Sequence, residues 1–105
     1  MPTNEELYAE HEKLKASGDL EGAVKRLEEI VAQDPGYALA HSALAVTLGR
    51  LGRHPEAIEH AKQVCEIEPN DPFSYTALSV TYQRAGHIPE AEDALARAHM
   101  LEQRR

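Results

Sequence analysis

Apolar residues recur along this chain at spacings of three and four positions, which is the periodicity of an amphipathic helix. One segment shows the pattern clearly, with apolar side chains at Leu20, Ala23, Val24, Leu27, Ile30 and Val31. Glycine and proline, which end helices and form turns, interrupt the pattern at regular intervals. The sequence therefore predicts an all-α protein of six helices, at about 4–16, 20–33, 37–51, 55–67, 72–85 and 89–103.

Local signals place the ends of several helices. Thr3 followed by Glu6 is typical of a capping box, in which each side chain bonds a backbone amide at the start of a helix. Gly18 suits the left-handed position that closes a helix, and Asp19 then suits the cap of the next one. The run Asp34-Pro35-Gly36 ends the second helix, because proline disfavours helical geometry in the residue before it.

The six helices fall into three copies of one unit. Residues 42–47, Ser-Ala-Leu-Ala-Val-Thr, match residues 76–81, Thr-Ala-Leu-Ser-Val-Thr, at an offset of 34 positions. Small residues recur in the same frame: Gly18, Gly52 and Gly86, and Ala23, Ala57 and Ala91. One helical hairpin of this size cannot bury its apolar side alone. The copies, at about 4–37, 38–71 and 72–105, are therefore predicted to stack into a single domain, a right-handed α-solenoid.

Composition narrows the class of function. The chain has 11 basic and 18 acidic residues and a net charge of −7, whereas nucleic-acid binding needs a basic surface. The single cysteine, Cys65, excludes a disulfide framework. No signal peptide and no apolar segment of membrane-spanning length is visible. We therefore expect a cytoplasmic protein that neither binds nucleic acid nor inserts into membranes.

The sequence contains no recognisable catalytic or metal-binding motif. No two of the six histidines are three or four residues apart, a spacing that a metal site on one helix would favour. Cys65 is expected to be a small core residue rather than a nucleophile, and no glycine-rich phosphate loop is present. We expect neither an enzyme nor a cofactor, while a histidine site formed between copies stays open.

The repeated unit resembles the tetratricopeptide repeat. On the first helices, the resemblance is carried by His41, Leu44, Ala45 and Leu48, and by Tyr75, Leu78, Ser79 and Tyr82. On the second helices and just after them, it is carried by Ala57, Ala61, Val64 and Pro69, and by Ala91, Leu95 and Ala98. The first copy departs from the pattern at Glu10 and His11, where leucine and a small residue are usual. The resemblance implies a non-enzymatic adaptor or scaffold for protein–protein interaction.

The first helices are apolar on two sides. Leu44 belongs to the side that packs within the hairpin, and Leu39 and Val46 lie on roughly the opposite side at about 100° per residue. Phe73 and Val80 repeat this arrangement in the third copy. The resemblance implies that the second side lines a concave groove. The predicted partner-binding residues are Tyr8, Glu12, Leu39, Ser42, Val46, Arg50, Phe73, Thr76, Val80, Gln83 and Arg84.

An apolar strip with a polar rim is typical of a docking site. We expect a protein or peptide partner with apolar anchors and with acidic residues near Arg50 and Arg84. The alternative is that curvature and rim side chains hide the strip and that no ligand uses it. Some members of the family grip a C-terminal carboxylate with a basic clamp. That clamp is not matched here, because Tyr8, Glu12 and Ala43 occupy its positions.

A second candidate surface lies at the end of the stack. Ala94, Ala98, Met100 and Leu101 on the last helix would meet a further repeat if one followed. Left uncovered, they would suit a structural self-assembly unit that forms homo-oligomers through its stack ends. The competing expectation is that alanines and one leucine are simply tolerated in water.

Overall fold

The computed structural model describes residues 1–104, and every regular element in that range is a helix. The helices are α1 (Asn4–Ala16), α2 (Leu20–Gln33), α3 (Ala38–Arg50), α4 (His54–Ile67), α5 (Pro72–Arg84) and α6 (Ile88–Gln103). Each end lies within one residue of its predicted position, so the helical pattern is confirmed. Within residues 1–104, no helix has both the length and the apolar character needed to span a membrane.

Consecutive helices pair into three hairpins, α1–α2, α3–α4 and α5–α6. The second helix of each hairpin also packs on the first helix of the next hairpin, and α3 contacts α5 directly. The extents of 41 × 27 × 19 Å reflect the elongation that this stacking produces. The fold is therefore a helical-repeat solenoid of three helix-turn-helix units, as predicted.

The three hairpin turns share one geometry. Gly18, Gly52 and Gly86 have φ angles of +89°, +78° and +81°, in the left-handed region that favours glycine. The residue after each glycine donates its backbone N–H to a carbonyl of the preceding helix, as Asp19 does to Leu14 at 2.8 Å. This Schellman arrangement satisfies carbonyls left without partners at a helix end. It explains why glycine recurs at this position.

Side chains cap the start of three helices. The Thr3 hydroxyl accepts from the Glu6 N–H at 3.1 Å, and the Glu6 carboxylate accepts from the Thr3 N–H at 3.0 Å. These two bonds confirm the predicted capping box. The Asp19 carboxylate accepts from a backbone N–H in the first turn of α2 at 2.9 Å. Asp71 caps α5 through the Phe73 N–H at 3.0 Å, a cap not expected from the sequence.

Two hydrophobic clusters hold the stack together. The first joins α1 to α4 and is rich in large aliphatic side chains: Leu7, Val24, Leu27, Ile30, Ala40, Leu44, Leu48 and Ala57. The second joins α3 to α6 and has smaller members: Ala45, Ala61, Cys65, Leu78 and Ala94. Ala23, Ala57 and Ala91 are buried, as close helix packing requires. The contact between the second and third hairpins is thus built from smaller side chains.

The structure corrects the expectation for the end of the stack. Ala94, Ala98 and Leu101 are buried, with 6%, 0% and 6% of their surface exposed, because α6 packs this side on α5. The prediction that these three residues lie uncovered is therefore wrong. Met100 is exposed, at 49%. The other large apolar side chains exposed on α6 are Ile88 and Leu95.

Candidate partner-binding groove

The first helices of the hairpins share an outward side. On α3, Leu44 has 0% of its surface exposed, whereas Val46, two residues later, is 48% exposed. On α5, Val80 is 39% exposed. Leu39 and Phe73, in the first turns of the same helices, are exposed by 52% and 73%. The two-sided apolar pattern of the sequence therefore corresponds to one buried side and one open side.

The open side holds a cavity between α3, α4 and α5, which we call the central cavity. Its volume is about 210 Å³, and it is lined by Ser42, Ala45, Val46, Ala61, Val64, Ala77, Val80, Thr81 and Arg84. Six of these nine residues are alanine or valine, so the walls are mainly apolar. The volume suits one large apolar side chain, since about 150 Å³ is enough to hold benzene.

Two further cavities flank the central one. The first, of about 230 Å³, is lined by Tyr8, Lys15, Leu39, Ser42, Ala43, Val46 and Thr47. The second, of about 240 Å³, is lined by Ser42, Val64, Glu68, Asp71, Phe73, Ser74 and Ala77. Ser42 lines all three cavities. The three cavities therefore adjoin one another along α1, α3 and α5, and we call them together the groove.

Seven of the eleven predicted partner-binding residues line the groove: Tyr8, Leu39, Ser42, Val46, Phe73, Val80 and Arg84. The other four lie on the same helices but outside the cavity walls: Glu12, Arg50, Thr76 and Gln83. The Thr76 hydroxyl donates to the Pro72 carbonyl within its own helix at 3.2 Å. The structure thus brings the centre of the predicted site together, and its binding role stays a prediction.

Five residues of the central cavity were not predicted: Ala45, Ala61, Val64, Ala77 and Thr81. The sequence holds a signal for one of them. At the repeat position of Ala61, the first copy has Leu27 and the third has Leu95. Leu27 has 0% of its surface exposed and belongs to the cluster between the first two hairpins. The smaller side chain of Ala61 leaves the corresponding space open, which contributes to the central cavity.

Cations border the groove on one side. Lys15 and Arg84 line cavities, and Arg50 lies at the C-terminal end of α3. The ion pairs found within residues 1–104 use other basic side chains, so these three make none there. Two carboxylates, Glu68 and Asp71, line the cavity at the start of α5. The groove is therefore basic toward the C-terminal ends of the first helices, in a chain whose net charge is −7.

A buried histidine supports the α1 end of the groove. His11 has 0% of its surface exposed, and its ring packs edge-on against Tyr8 with the centroids 4.3 Å apart. Its Nδ1–H donates to the Tyr8 carbonyl at 2.6 Å, whereas Nε2 has no hydrogen-bond partner within residues 1–104. Burial lowers the pKa of His11 and raises the pKa of Tyr8. The fold therefore favours the neutral form of both rings.

Other reactive side chains are arranged for packing. Within residues 1–104, no group of three His, Cys, Asp or Glu side chains is placed to hold a metal ion. Cys65 is buried, its Sγ–H donates to the Ser74 carbonyl at 3.4 Å, and burial raises its pKa to about 11. A thiol with that pKa is a poor nucleophile near neutral pH. His41 and His60 meet across α3 and α4 with their Nδ1 atoms 2.9 Å apart, a contact that sequence spacing did not reveal.

Stacked hairpins with a groove across their first helices define a helical-repeat protein, and comparison with family models identifies the repeat. Residues 14–77 match a model described as tetratricopeptide repeat, and residues 72–97 match a second model of the same description. The first match spans more than half of the chain. The chain therefore belongs to the tetratricopeptide repeat family, as its sequence pattern predicts. No curated protein sequence matches it.

Several solved structures share the fold. MamA superposes with a TM-score of 0.86 at 22% identity, over 97% of this chain and 60% of the MamA chain. This chain thus spans about three fifths of the length of MamA. The TPR2B domain of yeast Sti1 in complex with pHsp70 gives a TM-score of 0.83 at 25% identity, over 94% and 79% of the two chains. The second TPR of Spaghetti (RPAP3), bound to the HSP90 peptide SRMEEVD, gives 0.80 at 15% identity, over 93% and 91%.

Proposed function

We propose that this chain is a non-enzymatic adaptor that binds a peptide or helix of a partner protein in the groove. The observation that carries the proposal is the central cavity, about 210 Å³ of mainly apolar space on the open side of the first helices. Exposed apolar surface with a polar rim is typical of docking sites. The Spaghetti structure is a complex with a peptide, so the same fold is compatible with peptide binding.

In this proposal, one large apolar side chain of the partner fills the central cavity. Full burial of such a side chain contributes about 1.5–3 kcal/mol. Arg84 lies at the wall of the same cavity, where it is placed to pair with a carboxylate next to the anchor. Arg50 and Lys15 extend this basic side along the groove. The proposed partner segment therefore combines an apolar anchor with acidic neighbours.

A segment that ends in a clamped carboxylate is not proposed as the ligand. The positions that carry the basic clamp in some members of the family hold Tyr8, Glu12 and Ala43 here. Glu12 adds negative charge, and the pKa of Tyr8 is raised by burial and by Glu12, so its phenol stays neutral. Neither side chain supplies the positive charge of the basic clamp.

Affinity capture from the native cell extract tests the proposal. Ala61→Leu restores at this position the leucine of the other two copies and fills the central cavity, and Val80→Asp puts a charge in its wall. Both variants are expected to lose the captured partner. A third variant, Phe73→Ala, is expected to capture less of the partner than the wild type does. Ala96→Leu makes the same substitution on the exposed side of α6 and serves as the matched control. Equal capture by the wild type and both cavity variants would refute the assignment of the groove as the binding site.

A further inference from the structure

A pair of histidines joins the two helices of the second hairpin. His41 on α3 has 6% of its surface exposed, and its Nδ1 lies 2.9 Å from the Nδ1 of His60 on α4. The Nε2 of His41 lies 2.8 Å from the carbonyl oxygen of Pro35, in the connection between α2 and α3. The pair therefore ties α3 both to α4 and to the end of the preceding hairpin.

The protons of the pair follow from its neighbours. A carbonyl oxygen only accepts, so the Nε2 of His41 carries a hydrogen and the Nδ1 of the neutral ring is an acceptor. The Nδ1 of His60 must then be the donor. The ring centroids are 5.2 Å apart, which equals the nitrogen–nitrogen distance plus the two ring radii. The two nitrogens therefore point straight at each other, as in an N–H···N hydrogen bond, whereas two ligands of one metal ion converge at an angle.

Only one hydrogen fits between the two nitrogens. A first added proton, on the Nε2 of His60, leaves the hydrogen bond in place and makes it charge-assisted. A second added proton, on the Nδ1 of His41, sets two N–H groups and two positive charges face to face. We infer that the pair is a proton-sensitive latch, which holds the second hairpin closed until the second proton binds.

Neighbouring groups set the response of the latch to pH. Burial, and then the facing His41, hold the pKa of His60 below its usual 6.5, while Glu56 and Glu59 on α4 act in the opposite direction. Glu56 is shared with Arg53, whose guanidinium donates to it at 2.9 Å. The connection before α3 contributes a neutral carbonyl. Since the folded-state pKa of His60 is lowered, the stability linked to the neutral His60 ring is present above pH 6.5 and is lost as the pH falls through that lower value. The second proton of the pair, which breaks the hydrogen bond, binds only after this first one.

The latch occurs in the second hairpin, where it adjoins the groove. In the other copies, the positions of the two histidines hold Leu7 and Arg26, or Tyr75 and Ala94. Acid is therefore expected to loosen the middle of the stack. Ser42 and Ala61, which follow His41 and His60 in the chain, line the central cavity. The expectation that acid also changes partner binding rests on the proposed function, whereas the expectation that acid opens the hairpin does not.

The test compares the pH dependence of unfolding in the wild type and in two latch variants. His60→Ala and His41→Tyr carry the residues of the third copy, and His99→Ala, on an exposed position, is the control. Urea unfolding followed by circular dichroism gives the unfolding equilibrium constant at about pH 7.5 and about pH 5. A proton excluded from the folded state changes this constant by up to about tenfold per pH unit below the unfolded-state pKa. The rise on acidification is expected to be about tenfold larger in the wild type and in His99→Ala than in His60→Ala, and intermediate in His41→Tyr, where burial still lowers the pKa of His60.

Two further measurements complete the test. Nuclear magnetic resonance of the imidazole rings in the wild type should show that His41 and His60 do not both become cations while the hairpin stays folded. If His60→Ala fails to fold, His60→Gln keeps a donor toward His41 but does not titrate, and the same weak pH dependence is expected. Wild-type pH dependence in the variants, or two folded imidazolium rings, overturns the latch. No partner is needed, so failure of the groove proposal leaves this result unaffected.

Discussion

Replacing Leu44 and Val46 separately with alanine tests whether the two sides of α3 have different roles. Leu44 has 0% of its surface exposed and packs in the first hydrophobic cluster. Truncation of a buried leucine loses its burial and leaves a cavity, which costs about 2–5 kcal/mol. For a chain of 105 residues, the unfolding entropy implies a loss of about 4–5 °C in melting temperature per kcal/mol, or about 10–20 °C in total.

Val46 should respond differently, although it lies only two residues away. It is already 48% exposed, so truncation removes about half of the ~1.5 kcal/mol that full burial of valine contributes. Alanine is also the better helix former by about half a kcal/mol, which offsets most of the loss. The net change in the free energy of unfolding is therefore expected to stay within about 0.5 kcal/mol.

Thermal and urea unfolding of the two variants, followed by circular dichroism, measures both changes. The corresponding pair in the third copy, Leu78→Ala and Val80→Ala, provides an independent repetition on α5. Val46→Ala that destabilises the protein as much as Leu44→Ala would refute the reasoning. In that case the open side of α3 would be part of the core, and no groove for a partner would be left.

Backbone geometry, a buried histidine and the surface of α6 each lead to a further prediction. Gly49→Ala should stabilise the protein by about 0.5–1 kcal/mol and Gly52→Ala should destabilise it by about 1–2 kcal/mol in urea unfolding. An added Cβ meets no atom within 4 Å at either position, and only Gly52, with φ of +78°, has a left-handed backbone. Equal changes in stability in the two variants would contradict this explanation. Burial lowers the folded-state pKa of His11 below 6.5. The stability that neutral His11 contributes above pH 6.5 is therefore lost as the pH falls through this lower value. The variant His11→Leu should lose less stability on acidification than the wild type. Because most of the predicted self-association residues are buried, sedimentation at high concentration should show a monomer; a dimer abolished by Met100→Glu would instead support self-assembly.

Repetition made the fold predictable from the sequence. A single glycine or alanine says little about a turn, but the same residue at the same place in three copies indicates one shared backbone geometry. Gly18, Gly52 and Gly86 have nearly the same φ, as one repeated turn requires. The centre of the groove was predictable for a related reason, because a helix fixes which side chains share a side. Leu44 and Val46 had to point in different directions.

The remaining features depend on contacts between hairpins, which the pattern of one helix does not contain. The central cavity exists partly because Ala61 is smaller than its counterparts in the other copies. The error on α6 has a similar origin. Ala94 and Ala98 lie on the side of α6 that packs on α5. Leu95 occupies the repeat position of Leu27, which packs between hairpins. The side of α6 that carries Leu95 is therefore the outer side. The pair of His41 and His60 joins residues 19 positions apart, which no local spacing signals.

Calorimetric titration of the captured partner segment into the wild type and Ala61→Leu tests the central claim most directly, with Ala96→Leu as the control. Loss of one buried apolar anchor, about 1.5–3 kcal/mol, corresponds to binding that is roughly 10–150-fold weaker in Ala61→Leu. Ala96→Leu is expected to bind like the wild type. Wild-type affinity in a folded Ala61→Leu protein would contradict the account, because the partner would then bind without entering the central cavity.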